Sequence, residues 1–232
     1  MLFLESDGLL FGSGSFGIDV ILSGGACGYE NMHEGGYGIS NTALSGALFR
    51  QGEACGSCYE LLCNAKDDPA WCLPGRTRIR VTATNLCPPY GAGWCNHPNH
   101  HFDLSMPAYL TIARYKAGIV PVFYRRVPCL RKGGVRFSMK GNAYFNTVVI
   151  SNVGGSGDVR GVWVNADGFS ANYWQALQRN WGASWVNNIG NVEGKALSFR
   201  AMIGDGQTLT FYNAVPSNWR FGQTFFSQLQ FK

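Results

Sequence analysis

The acid in His101-Phe102-Asp103-Leu104-Ser105 is the residue best placed to do chemistry in this chain. Asp103 follows a histidine and an aromatic residue, and a helix is expected to start directly behind it. Ser105 belongs to the residue types that cap helix N-termini, and Pro107 falls in the first turn, where a missing N–H does no harm. Tyr109, Ile112 and Ala113 recur at helical spacing and Gly118 supplies the stop. Such a placement sets Asp103 near unpaired N–H groups that favour a charged carboxylate. Burial beside Phe102 would favour the protonated form instead. The pattern alone leaves open whether the acid reacts or only caps a helix.

One chemistry for a lone acid is glycoside hydrolysis. Inverting enzymes need a second carboxyl group roughly 6.5–9.5 Å away, with a water between the two. Glu60 sits within a cysteine-flanked strand, and Asp67 and Asp68 lie on a Pro-containing turn, so none is a convincing base. Asn85, on the loop after a strand, cannot take a proton. A second chemistry is metal binding, because Cys87, Cys95, His97, His100 and His101 fall within fifteen residues. Their spacing fits no common zinc pattern and all the cysteines can pair without metal, so no metal and no cofactor is expected. The third is stacking of sugar rings on aromatic faces. Trp174, Trp181 and Trp185 lie within twelve residues, with Tyr144 and Phe145 nearby on an expected strand. Alternation along that strand would expose only one of Tyr144 and Phe145, and Trp163 and Trp219 are expected in the core.

These residues must be positioned by a turn-rich framework. The chain has 232 residues, 46% hydrophobic and only 14% charged, with 31 glycines, 15 Phe, 10 Tyr and 7 Trp. Its net charge of +5 suits loose attraction to acidic polymers but does not imply nucleic acid. Eight cysteines, at 27, 55, 58, 63, 72, 87, 95 and 129, all lie in one half. An even number confined to one half reads as a disulfide framework made in an oxidising compartment, with about 105 pairings open. The cysteine-free remainder must hold itself by its own core, so two domains are expected. No basic segment precedes the first apolar residues, which Glu5 and Asp7 interrupt, so residues 1–23 do not read as a secretion leader. No apolar run reaches the ~18 residues of a membrane span.

Along the chain, residues 1–23 offer one weak strand, 19–22. A glycine turn at 24–29, a helix at 41–49 and strands at 58–63, 76–84 and 119–124 follow, with a proline- and glycine-rich loop at 87–99. A basic run at 125–140 reads either as a solvated linker or as a surface for an acidic polymer. Beyond it, short strands at 135–139, 144–150, 159–164, 197–201, 208–212 and 224–226 suggest a small β-sandwich.

The motifs Gly24-Gly-Ala-Cys-Gly-Tyr, Trp71-Cys-Leu-Pro-Gly, Ala83-Thr-Asn-Leu-Cys-Pro-Pro, His101-Phe-Asp-Leu-Ser and Tyr124-Arg-Arg-Val-Pro-Cys resemble the plant α-expansins. So do Asn152-Val-Gly-Gly-Ser-Gly-Asp-Val, Arg179-Asn-Trp-Gly-Ala-Ser-Trp and Pro216-Ser-Asn-Trp-Arg-Phe-Gly-Gln-Thr-Phe, and the likeness runs from about residue 24 to 226. It implies an all-β-dominated protein: a six-stranded double-psi β-barrel, similar to barwin and the family-45 endoglucanases, then an immunoglobulin-like carbohydrate-binding β-sandwich. The corresponding division is an atypical segment at 1–23, the barrel at 24–132, a linker or first strand at 133–143 and the sandwich at 144–228. The resemblance further implies a secreted, monomeric cell-wall protein that acts at acid pH on cellulose and xyloglucan-like matrix polysaccharides, without hydrolysis and without a cofactor. Asp103 matches the acid of the endoglucanases, while their base has no counterpart. The implied disulfides are Cys27–Cys55, Cys58–Cys129, Cys63–Cys72 and Cys87–Cys95. Tyr144 and Trp181 match the polysaccharide platform, and Trp185 is added to it. The family's first barrel strand carries a Thr and a Tyr followed by a groove Asp, and residues 1–23 lack that pattern, Asp19 being off the spacing. The expectation is therefore a barrel without its first strand, with an exposed edge and half a groove. The alternatives are an inverting β-1,4-glucanase and an inactive carbohydrate-binding module.

Overall fold

Six strands close into a barrel in the computed structural model: β1 (Glu5–Gly8), β2 (Asn41–Leu44), β3 (Cys58–Cys63), β4 (Arg78–Leu86), β5 (His101–Leu104) and β6 (Val120–Val127). Their order around the barrel is β1-β5-β2-β4-β3-β6. The structure describes residues 5–8 through their backbone, and 25–29, 32, 35–75, 77–91, 93–187, 190 and 192–232 in full. The strand expected at 19–22 lies outside these.

The first strand is present, which corrects the expectation of an open barrel. β1 pairs parallel to β5, Asp7 opposite His101, and antiparallel to β6, Glu5 opposite Phe123. Its four residues show no hydrophobic alternation, because ladder pairing needs only backbone N–H and C=O groups. A second correction falls at 41–49. Asn41 to Leu44 form a strand, parallel to β4 and antiparallel to β5, and only Gly46–Phe49 is helical (α1). Two ladders outweigh a local helical preference that Thr42 and Gly46 already weaken.

Inward side chains recur at every second position on β3, β4, β5 and β6. Tyr59 and Leu61 of β3, Val81 and Ala83 of β4, Phe102 and Leu104 of β5, and Val120 and Val122 of β6 form the barrel core. The helix expected behind Asp103 is α2 (Met106–Ile112), whose Ala108, Tyr109 and Ile112 pack on this core. Four disulfides tie the barrel: Cys27–Cys55, Cys58–Cys129, Cys63–Cys72 and Cys87–Cys95.

The second unit is a sandwich. One sheet runs β10 (Gln175–Ala176), β9 (Val159–Ala166), β13 (Leu197–Ile203), β14 (Thr208–Val215). The other runs β11 (Gln178–Trp181), β12 (Ser184–Asn187), β8 (Asn146–Ser151), β7 (Arg136–Gly141), β15 (Thr224–Phe226). Phe137 stacks on Phe199 between the sheets, centroids 5.0 Å apart, and meets Phe211 edge-on. Val135 and Phe231 both lie in this core, so the sandwich is under way before residue 144 and continues past 228.

The two units share a built seam. β8 is buried on both faces: Val148 and Ile150 point into the sandwich, while Val149 joins the barrel core. Half of the basic run expected to be a linker or polymer-binding surface is spent on this seam. Arg126 reaches Asp158 at 2.6 Å, Arg131 stacks 4.7 Å from the Tyr37 ring and donates to Thr82, and Lys140 donates to the Gly28 carbonyl at 2.8 Å.

Candidate functional site: a buried acid on the barrel and an aromatic platform on the sandwich

Asp103 projects from β5 on the face opposite Phe102 and Leu104, and shares that outer face with His101. It is opposite Ala43 of β2, whose small side chain leaves the carboxyl room. The site is nevertheless well covered. Asp103 Oδ1 and His101 Nδ1 are both buried, with no hydrogen-bond partner among the described residues. Burial pushes the Asp103 carboxyl from an ordinary value of 3.8 up to about 7, and it pushes His101 from 6.5 down to about 4. Both groups are therefore held neutral in mildly acid solution. The competition between helix start and burial is thus decided for burial. Ser105 makes no side-chain cap and donates instead to the Ile39 carbonyl, and α2 is only seven residues long.

Among the described residues, the search for a second carboxylate ends on the far side of the barrel. In the closed order β1-β5-β2-β4-β3-β6, β3 is three strands from β5 in either direction. Glu60, outward-facing on β3, thus points away from Asp103. Its carboxylate is engaged by Arg125 at 2.7 Å and Arg78 at 3.2 Å. Asp68 lies against the other end of α2, where its charge joins burial in raising the Tyr109 phenol to about 12. The zinc reading also loses its ligands. Cys87 and Cys95 are bonded to each other, and His100 Nδ1 meets the Tyr124 hydroxyl at 2.7 Å.

On the sandwich, Tyr144 is fully exposed and Trp181 is 45% exposed. Asn142 holds the Tyr144 bend, its Oδ1 accepting from the N–H groups of Tyr144 and Phe145 at 2.9 and 3.0 Å. Because both residues lie in this bend before β8, both are exposed, contrary to the strand-alternation expectation. Trp181 sits opposite Ser184 on the outer face, and its inner side rests on Phe49 of the barrel, centroids 5.8 Å apart. The hairpin turn beside it must be glycine. Gly182 has φ 59, and a Cβ there would lie 2.7 Å from the Ala26 carbonyl and Cys27 Cα. The platform's tryptophan is thereby pinned at the seam. In the register of β8, β12 and β11, Trp181 lies level with Val149, roughly 10 Å along β8 from Asn146, where the Tyr144 bend ends, and about 10 Å across the strands.

Trp185 does not belong to this platform. It is paired with inward-facing Val148, is 4% exposed, and has the Arg179 guanidinium 4.4 Å from its ring. Four positions from Trp181, it lies beyond the hairpin turn and on the inner face, which spacing alone could not reveal. Of the tryptophans expected inside, Trp219 is buried and Trp163 is half-buried on an outer sheet face. Trp174 lies on the other sheet altogether. Sequence reasoning placed His101 beside the acid and weighed it only as one of a zinc set that was set aside; the signal for its place next to Asp103 was the two-residue spacing that puts both on one strand face.

A family model described as the expansin C-terminal domain matches residues 135–216. A model described as lytic transglycolase matches residues 41–124. Expansin-A12 of Arabidopsis thaliana is 54% identical over 207 residues, covering 88% of this chain and 81% of that protein. Expansin-A13 of Oryza sativa subsp. japonica is 49% identical over 215 residues, covering 90% and 80%. The solved expansin of Clavibacter michiganensis superposes with a TM-score of 0.72 at 16% identity, covering 99% of this chain and 98% of that one. A mutant of the same bacterial protein, solved with cellohexaose, gives the same score. The bacterial likeness shows that barrel and sandwich share one fold with a solved two-domain expansin. The plant likeness, near half of all positions over most of both chains, goes further: this chain belongs to the plant α-expansin family.

Proposed function

We propose that this protein loosens plant cell walls without cutting glycan, by disturbing non-covalent contacts between cellulose microfibrils and matrix glucans. The observation that carries this is that, among the described residues, no second carboxylate faces Asp103: it is a half-buried acid held neutral, and the best described alternative, Glu60, is ion-paired on the opposite wall. A single acid can donate a hydrogen bond to a glycan oxygen but cannot also activate water. An unpartnered buried carboxyl oxygen costs roughly 1–3 kcal/mol, and a sugar hydroxyl arriving in the groove supplies the missing partner.

The sandwich holds the polymer. Tyr144 and Trp181 offer ring faces to the apolar C–H faces of several successive sugars, which suits cellulose, the polymer whose hexamer was solved on the bacterial relative. Matrix glucans of the xyloglucan kind are the second ligand, and the protein works as a monomer in the wall outside the cell. The four disulfides fit that oxidising setting. Acid dependence is part of this reading, supported by the raised Asp103 value: if loosening needs Asp103 protonated, it falls as pH rises through about 7.

The test is creep of heat-inactivated plant wall under constant load, with reducing sugar assayed in the same sample. Creep without sugar is expected. Sugar release would favour the glucanase, and binding to cellulose with neither creep nor sugar would leave a carbohydrate-binding module with an idle groove.

A further inference from the structure

The outer face of the four-stranded sheet lies across the sandwich from Val149 and the barrel, and it carries a cavity of about 220 Å3. Its floor is Asn165 of β9 and Ser198 of β13, register partners whose side chains point outward. One wall is the segment 167–174, which folds back over the sheet. Asn165 Nδ2 holds it by donating to the Ser170 carbonyl at 3.0 Å, and Asp167 N–H donates to the Ala196 carbonyl at 3.0 Å. This brings Phe169 and Trp174 to the cavity. The opposite wall comes from a break in the β13–β14 register. There Asn213 takes the left-handed conformation, φ 48, and its N–H donates to Ser198 Oγ at 2.9 Å. Such a bulge re-aims its neighbours, and Tyr212 stands out at the rim, 76% exposed.

The chemistry of the lining is alternate aromatic faces and short polar groups. Phe169, Trp174 and Tyr212 offer ring surfaces, while Asn165, Asp167 and Ser198 offer hydrogen-bonding atoms between them. The nearby cations are engaged with rings: the Arg200 guanidinium lies 4.4 Å from Trp174, and Lys195 Nζ lies 4.8 Å from Phe169. Asp167 is the charged member of the lining itself, and the two cations, held against the rings, keep their charge beside it, so the cavity has no strong single-sign field.

We propose that this cavity is a second glycan site, which takes one neutral sugar ring at a chain end or branch. Ring faces meet the C–H face of a pyranose and the amide, carboxylate and hydroxyl meet its hydroxyls, as in other concave sites with few placed polar groups. Its concavity separates it from the platform. A flat crystalline face can lie across Tyr144 and Trp181 but cannot enter between Phe169 and Tyr212, whereas a protruding end or side branch can. The proposal depends neither on the platform nor on the wall-loosening reading. It would let one molecule grip a microfibril face and a matrix branch on opposite sides of the same sandwich.

The test is NMR titration of the full-length, isotope-labelled protein, following the Trp174 indole N–H and the Ser198 amide. The probes are cellotetraose, which presents chain ends, and a xylose-branched glucan heptasaccharide. We expect at least one to shift both signals with a dissociation constant of about 1 mM. The shift should persist in Tyr144→Ala/Trp181→Ala, or in Tyr144→Ala alone should loss of Trp181 disturb Phe49. It should weaken about tenfold in Tyr212→Ala and survive in Tyr212→Phe. A response to cellotetraose assigns chain ends, and one to the heptasaccharide alone assigns branches. Silence at Trp174 and Ser198 with both probes, shifts that vanish with the platform, or a stronger response to a galacturonic acid trimer would each overturn the proposal.

Discussion

The barrel and the sandwich solve the same problem, a stable β-domain of about a hundred residues, by different means. The barrel is tied by four disulfides and holds the half-buried Asp103 beside the buried His101 on the outside of one strand. The sandwich has no cysteine and relies on a dry core in which Phe137, Phe199 and Phe211 interlock. Buried polar atoms without a partner among the described residues occur in both units, at Asp103 and His101 of the barrel and at Asn146 and Trp185 of the sandwich, but covalent links reinforce the barrel, while the sandwich spends its surface on aromatic contact. The comparison teaches that gripping and disturbing a polymer need different walls: exposed rings on a rigid apolar scaffold for one, a water-poor acid for the other.

Removing the covalent ties should break the comparison most strongly. Cys58→Ser/Cys129→Ser opens a loop of sequence separation 71, worth about 4 kcal/mol in the chain-entropy model. Calorimetry should show the barrel transition falling while the sandwich core keeps its own. The seam comes next. Asp158 is buried and held by Arg126 at 2.6 Å and Arg160 at 2.8 Å, and Arg160 also reaches Glu53 of the barrel. Because both arginines keep partial contact with water, Asp158→Asn should cost less than a fully buried pair, about 2 kcal/mol. Chemical denaturation should then resolve two transitions in place of one.

The buried pair gives a sharper test, through pH. The folded Asp103 value lies above the unfolded one, so the stability it contributes is complete below about 4 and is lost as pH rises towards about 7. The folded His101 value lies below its unfolded one, so its contribution is complete above 6.5 and is lost as pH falls towards about 4. The two slopes oppose each other in nearly the same window, and the native protein should show a nearly flat stability profile there. Asp103→Asn exposes the histidine slope: stability should climb with pH by on the order of 1–3 kcal/mol across that window. A profile as flat as that of the native chain would show that the two groups are not buried as described. The smallest effect is on the platform. Tyr144 touches nothing that holds the fold, so Tyr144→Ala should leave the melting temperature unchanged and weaken cellulose binding by up to about tenfold. A pull-down isotherm on microcrystalline cellulose reads that loss.

Much of this was legible in the residues. The alternation in 58–63 marked β3 to the residue, and 224–226 marked β15, because each strand has one buried face. Confinement of the cysteines to one half marked the disulfide-tied unit. Asp103 was legible as a lone acid behind His101 and Phe102 and directly ahead of an expected helix, whereas the short strand that carries it, β5, was not. Other features carried no local signal. β1 has no hydrophobic pattern since it contributes backbone pairing, and β2 was hidden in a helix-like run because two neighbouring strands, distant in sequence, decide it. Trp185 and Trp174 could not be separated from Trp181 by spacing, because a glycine turn and a change of sheet intervene.

By itself the sequence determined the family, the two-unit plan, the compartment in which its cysteines can pair and the candidate acid. These rest on residue types, local periodicity and motif order. Only the tertiary structure decided that the barrel closes, that Glu60 stands on the wall opposite Asp103, that burial outweighs the helix start at that acid, and that the tryptophans divide among platform, core and a second cavity. Each of those depends on which residues far apart in the chain come to lie side by side, and on how much water they exclude when they do.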